Sequence, residues 1–317
     1  MTEQLRADGT LRHLLTLDGL ARELIERLLE RAQGFVRPLG TRPPASQSLA
    51  GRTVANLFTE PSTRTRVSFE LAAKRLGADV VNLEVQLSSR VKGESMLDTI
   101  YTLQALHFDV FIIRDAEPGV LEHVASHVDP EVSVVSAGEA HLSHPTQGLL
   151  DALTVLQFKG AIEQLSIAIV GDIRHSRVAR SAYHVFRALQ ARELRLIAPP
   201  ALMPEPGEFA GCVRSHSLDE GLGGVDVVMM LRIQKERFVE AAVPDGAEYF
   251  ARYGLTPERL ARARPDAIVM HPQPMNRGIE IASEVADGPQ SVIRAQVSNG
   301  VAVRMAVLET VAGRHAT

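Results

Sequence analysis

Short aliphatic and β-branched runs alternate along the chain with stretches whose apolar positions recur every three or four residues. The runs predict strands at Thr53–Phe58, Asp79–Leu83, Asp109–Ile113 and Val132–Val135. A second set follows at Ser166–Val170, Leu194–Ile197, Val225–Leu231 and Ala267–Met270. Between them, "LDGLARELIERLLERA" has helical period with Asp18 as a plausible N-cap, and "TRVSFELAAKRLGA" has it with Gly77 as a plausible stop. Strands apolar on both faces and interleaved with helices predict parallel sheets covered on each side, an α/β fold.

The segment "HPTQGLLDALTVLQFKG" reads as a helix that starts after His144–Pro145, with four predicted strands before it and four after. The expectation is two similar-sized α/β domains, each a mostly parallel sheet flanked by helices, over residues 1–150 and 151–291. A last helix, about residues 292–317, is expected to pack back on the first domain. The Pro-rich pieces "TRPPASQS" and "PPALMPEPG" read as surface loops.

Composition narrows the function classes. The chain has 317 residues, 45% hydrophobic and 23% charged, with a net charge of −4, a pI near 6.3 and a mean hydropathy of +0.01. This balance argues against a general nucleic-acid or membrane-surface binder, so any cationic site must be a local concentration of Arg and Lys. Cys212 is the single cysteine, which excludes an intramolecular disulfide framework or a multi-Cys zinc site and fits a reducing compartment. The start "MTEQLRADGT" has no apolar h-region, and runs such as "VVMML" are too short to span a bilayer, so a cytoplasmic protein is expected.

Open parallel sheets bind ligands outside the carboxyl ends of their strands, and here those ends share a chemistry. "TVANLF" runs into Ser62, Thr63, Arg64 and Thr65, and "DVFII" is followed at once by Arg114. The fourth strand leads to His144, Thr146 and Gln147. "IAIVGD" leads to Arg177, "VVMML" to Arg232 and Gln234, and "AIVM" to His271-Pro272. Single arginines after strands are mostly solvated; four of them with two histidines on one predicted edge suggest a site.

The cluster in "FTEPSTRTR" has a direct physical reading. A helix beginning near Ser62 exposes backbone N–H groups and the positive end of its dipole. Three hydroxyls and the planar fork of Arg64 suit phosphate oxygens. Ser62 as a simple helix cap is the bland alternative, but one hydroxyl suffices for a cap. Neither G-x-x-x-x-G-K-[ST] nor G-x-G-x-x-G occurs, so no nucleotide or dinucleotide fingerprint is present. "HLSH" (His141 to His144) is a weak zinc-like cluster without acidic or Cys partners nearby, and no metal is expected. Read from the residues alone, the site is a cationic, cofactor-free cleft between two domains for a small phosphate and a second anion.

"FTEPSTRTRVSFE" resembles the carbamoyl-phosphate signature of the aspartate/ornithine carbamoyltransferase family. "KGES", "IIRDAE", "HPTQGLLD", "GDIRHSRVARS", "LRIQKER" and "HPQPMNRGIEI" occur in the order found in its aspartate branch, from about Leu11 to Leu308. The resemblance implies transfer of a carbamoyl group from carbamoyl phosphate to the amine of L-aspartate, the step that commits to pyrimidine synthesis. It implies that Ser62, Thr63, Arg64 and Thr65 hold the phosphate and that Thr65, Arg114 and His144 surround the carbonyl oxygen. Gln147 and the backbone at Pro272 and Gln273 would hold the carbamoyl NH2, and Arg177, Arg232 and Gln234 the carboxylates of aspartate. Ser88 and Lys92, in "LSSRVKGES", would reach a neighbouring subunit's site, which implies a homotrimer with shared active sites, inactive as single subunits and closing its domains over the substrates.

Against the family pattern, Gln273 stands where relatives usually carry Gly or Leu, and Ser95 replaces the more usual Thr. "NRGIEIASEVADGPQS" resembles the form that assembles with a dihydroorotase or dihydroorotase-like chain. The competing readings are a transferase for ornithine or a related amino acid, and a non-catalytic phosphate-binding or scaffold homologue. Ornithine enzymes carry "HCLP" where this chain has "HPQP".

Overall fold

The computed structural model describes residues 4–83, 95–233 and 246–313. By their internal contacts these form two compact units, one of Met1–Leu150 with Asn299–Thr317 and the other of Asp151–Ser298.

In the first unit the elements run α1 (Arg22–Phe35), β1 (Thr53–Phe58), α2 (Thr63–Arg75), β2 (Asp79–Leu83), α3 (Met96–Ala105), β3 (Val110–Asp115), α4 (Val120–Ala125), β4 (Ser133–Glu139) and the start of α5 (Pro145–Lys159). The four strands are parallel in the order β2-β1-β3-β4. Alternate residues of the central strands, Ala55 and Leu57, Phe111 and Ile113, join Ile100, Leu103, Leu121 and Val124 in one buried cluster. That is the period-two pattern of a sheet face meeting the apolar stripes of α3 and α4. Beyond β4 the N-terminal segment continues the sheet for one bridge, where Leu14 N–H donates to the Val134 carbonyl at 2.9 Å and Ser136 N–H to that of Leu14 at 2.8 Å.

The second unit contains the rest of α5, then β5 (Ser166–Val170), α6 (Arg177–Ala188), β6 (Glu193–Ile197), β7 (Val213–Ser215), α7 (Leu218–Gly221) and β8 (Val227–Met230). These are followed by α8 (Gly246–Tyr253), α9 (Pro257–Leu260), β9 (Ile268–Met270), α10 (Ser283–Ala286) and most of the first half of α11 (Ile293–Ala312). Its sheet is parallel in the order β7-β6-β5-β8-β9. It has five strands, not the four expected. The extra one, β7, is a three-residue edge strand, "VRS", too short and too polar to show a hydrophobic period.

Other boundaries also differ from expectation. Asp18 does not cap α1: Gly19 turns the chain at φ 73°, and the helix starts at Arg22 after Ala21, which makes no side-chain cap. Gly77 does end α2, at φ 85°, where a Cβ would lie 2.6 Å from Gln47 Oε1. Ser95 opens α3 with a reciprocal capping box to Asp98. Among the described residues no helix is long and apolar enough to cross a membrane.

Candidate active site

Strand order assembles what the sequence leaves scattered. In the first unit the chain reverses its direction of travel across the sheet between β1 and β3, the switch point at which open parallel sheets form their crevice. β1 delivers Ser62–Thr65 there and β3 delivers Arg114, with Phe58 and Arg114 in register. β4, next in order, leads to His144 and the N-terminus of α5.

Ser62 is the N-cap residue of α2, yet its side chain makes no capping hydrogen bond, and no acidic residue lies in the first turn. The capping alternative for Ser62 is therefore not what this helix uses. Its positive end carries the hydroxyls of Ser62, Thr63 and Thr65; Thr63 and Arg64 are exposed, Ser62 half-buried and Thr65 buried. The guanidinium of Arg114 is strapped at the same edge. It pairs with Glu60 Oε2 at 3.0 Å and donates to the Ala137 carbonyl at 3.2 Å, its side chain only 13% exposed. The Arg114 carbonyl in turn accepts from the Thr59 N–H at 3.0 Å. Sequence reading assigned Glu60 no role, because its partner lies on another strand and becomes a neighbour only through the β1–β3 pairing.

His144, Thr146 and Gln147 are all buried. Pro145 starts α5, and the His144 carbonyl accepts from the N–H groups of Gln147 and Gly148 at 2.9 and 3.2 Å, which fixes the backbone that carries these three polar side chains at a helix start. At the end of β4, burial holds the Glu139 carboxyl above its ordinary pKa. N–H bonds from Leu121 and Gly119 oppose the shift, and the Asp115 and Glu122 charges add to it. Its bond from Leu121 N–H, 3.2 Å, ties α4 to the sheet.

The second unit repeats the scheme. Its sheet reverses between β5 and β8. β5 leads to Arg177, the first residue of α6, which Ser176 caps through the Ala179 N–H. β8 leads to Arg232, exposed, and β9 to Pro272 and Gln273. Gly171, at φ 125°, lets the two central exits approach, since a Cβ there would lie 3.1 Å from the Leu231 carbonyl oxygen. His271 differs from its expectation as part of the polar ligand edge: it is fully buried, with both ring nitrogens engaged, by the Gln273 N–H and by Glu280. Gln273 has φ 56°, in the left-handed region that glycine adopts most readily.

Ser88, Lys92 and Gln234 lie outside the described residues. Among the described residues no three His, Cys, Asp or Glu side chains group to hold a metal ion. An open depression of about 330 Å³ on the second unit is lined by Asp219, Phe250, Thr256, Glu258, Arg259 and Arg262. It holds none of the predicted site residues, and its arginines are spent on Asp219, at 3.5 and 3.0 Å.

The fold and these exits define a class: a protein of two parallel α/β units, with hydroxyl and cationic groups after the strands at the first sheet's reversal and arginines after those at the second. Residues 12–157 match the aspartate/ornithine carbamoyltransferase carbamoyl-P binding domain, and residues 163–311 match the Asp/Orn binding domain of the same enzymes. The chain belongs to the aspartate/ornithine carbamoyltransferase family. Among solved structures it is similar to aspartate transcarbamoylase from Trypanosoma cruzi in complex with carbamoyl aspartate and phosphate, at 31% identity over 98% of this chain and 99% of that one, with a TM-score of 0.84. Ornithine carbamoyltransferase from Pyrococcus furiosus is similar at 29% identity over 96% and 98%, TM-score 0.83. The Thermus thermophilus ornithine enzyme is similar at 26% over 95% and 98%, TM-score 0.83.

Proposed function

We propose that this carbamoyltransferase takes L-aspartate as its acceptor, making N-carbamoyl-L-aspartate and phosphate for pyrimidine synthesis. The observation that carries the reading is the pair of arginines, Arg177 and Arg232, carried from the two strands that flank the second sheet's reversal. An acceptor with two carboxylates needs cations there; ornithine brings an amine in place of the second carboxylate, and an arginine facing it would repel it. The T. cruzi enzyme, solved with carbamoyl phosphate and aspartate together, supports the same choice.

On this reading Ser62, Thr63, Arg64 and Thr65 hold the phosphate at the uncapped end of α2. Arg114, His144 and Thr65 donate to the carbonyl oxygen, where negative charge grows as the amine attacks. Donors held in place before reaction stabilise that charge more than they stabilise the ground state. The Arg114 pairing with Glu60 and Ala137 supplies such preorganisation. Gln147 and the backbone of Pro272 and Gln273 hold the carbamoyl NH2. The neutral aspartate amine forms the C–N bond, the C–O bond to phosphate breaks, and the amine proton leaves with the phosphate oxygen. Gln234 and, from a neighbouring subunit of a homotrimer, Ser88 and Lys92 complete the set. Assembly with a dihydroorotase or dihydroorotase-like chain belongs to the same proposal.

The test is product formation by the purified chain with carbamoyl phosphate and either aspartate or ornithine. Carbamoyl-aspartate alone is expected, with Arg64→Ala lowering kcat/KM about 100-fold or more. Citrulline as the only product would replace aspartate by ornithine.

A further inference from the structure

Behind the exit of β9 runs a buried polar chain built from side chains that are given no substrate contact in the proposed site. His271 Nδ1 accepts the Gln273 backbone N–H at 2.9 Å. The ring proton is thereby assigned to Nε2, which donates to Glu280 Oε1 at 3.2 Å. His271 and Glu280 are both fully buried. The same Glu280 oxygen accepts the Asn276 backbone N–H, and Asn276 Nδ2 donates to the Ile233 carbonyl at 2.9 Å. On the other side, Gln296 Oε1 accepts the His271 N–H at 2.9 Å, and Gln296 Nε2 donates to Asp151 Oδ1 at 2.7 Å.

A strand end that needed only packing would be served by apolar residues, because burying a carboxylate and an imidazole is unfavourable unless their bonds are made. Both ring nitrogens of His271 and Oε1 of Glu280 have such bonds, while Glu280 Oε2 is buried without one among the described residues. Two of the chain's bonds end on backbone that leads to predicted substrate contacts. One fixes Gln273; the other fixes Ile233, next to Arg232.

We infer that His271 and Glu280 are positioning residues, a buried frame that sets residues 272–276 for the carbamoyl group and, through Asn276, the segment that carries Arg232 for the acceptor. The inference rests on the roles proposed above for Gln273 and Arg232. It has two separable branches: Nδ1 of His271 serves the carbamoyl side, and Nδ2 of Asn276 serves the acceptor side.

Side-chain mimics separate the branches. Asn places an acceptor where His has Nδ1, and Gln places a donor where His has Nε2. His271→Gln is expected to raise the KM for carbamoyl phosphate about tenfold or more, and His271→Asn to leave it within about threefold, on the same principle that placement rather than bulk decides. Asn276→Asp and Asn276→Ala are expected to raise the acceptor KM and leave that for carbamoyl phosphate alone. A general packing role would weaken His271→Gln and His271→Asn alike and move both constants together, which would overturn the inference. Arg64→Ala run in parallel tests the phosphate site itself. If that variant behaves as proposed while His271→Gln keeps wild-type constants, the frame fails and the site reading stands. If the wild type carbamoylates no amino acid, the site reading fails, and amide exchange at Gln273 still decides the frame: faster in His271→Gln than in His271→Asn supports it, equal rates sink it.

Discussion

Ser62 and Ser176 both open helices after a strand, yet only Ser176 caps with its side chain. Sequence shows a serine in both places and cannot say which hydroxyl is already used; the geometry of the following turn decides. His13 is a residue that sequence reading passed over entirely. It is fully buried, its Nδ1 accepts the Val134 N–H at 2.9 Å, and burial, with the charges of Arg12 and Arg6, lowers its pKa from 6.5 to about 3. An unfolded chain takes that proton first as pH falls. The stability due to neutral His13 is therefore complete above pH 6.5 and is lost between there and about pH 3, on the order of 4 kcal/mol if the full shift applies. His13→Asn keeps an acceptor for Val134 and removes the titration. Urea midpoints at pH 7, 5 and 4 are expected to fall less steeply in that variant than in the wild type; identical slopes would mean other groups dominate.

Most elements were legible because their patterns are strong: every predicted strand overlaps an observed one, with the largest boundary difference at the end of β4, and α2 ends where Gly77 placed it. β7 was not, since three residues on an edge carry no period. Nor was the start of α1, where the turn at Gly19 outweighs the capping propensity of Asp18. Gly171 is a case where the residue is visible but its reason is not. Its φ of 125° and its 3.1 Å approach to Leu231 tie the exit of β5 to that of β8. Gly171→Ala is expected to lose about 1–3 kcal/mol and to raise the acceptor KM more than the carbamoyl phosphate KM, because Arg177 and Arg232 follow those two exits. Steady-state kinetics on the folded variant, beside its melting temperature, separate the two effects.

At the scale of the molecule, the carboxyl ends of the strands could be read from the sequence, but the order of the strands could not. Order is set by which cores close, and it is order that brings Arg114 beside Glu60 and Arg177 near the exit that carries Arg232. The N-terminal segment is a second feature hidden at sequence level. Leu11, Leu14 and Leu15 are buried, Arg6 and Ser133 both donate to the Val311 carbonyl, and Leu14 covers the edge of β4. Removing residues 4–16 would expose that edge and forfeit on the order of 5 kcal/mol of apolar burial. The truncated chain is expected to melt lower and to aggregate, which calorimetry and light scattering would show; an unchanged melt would make the segment dispensable.

Each sheet has its own reversal and its own buried core, so residues at one set of exits can change without repacking the other. On the proposed reading, the donor is handled chiefly from the first unit and the acceptor from the second. Such a chain is open to divergence by halves: the exits of β5 and β8 can drift toward a new amino acid while the phosphate-holding turn after β1 stays as it is. That is a route by which relatives of one ancestry could come to serve aspartate in one lineage and ornithine in another.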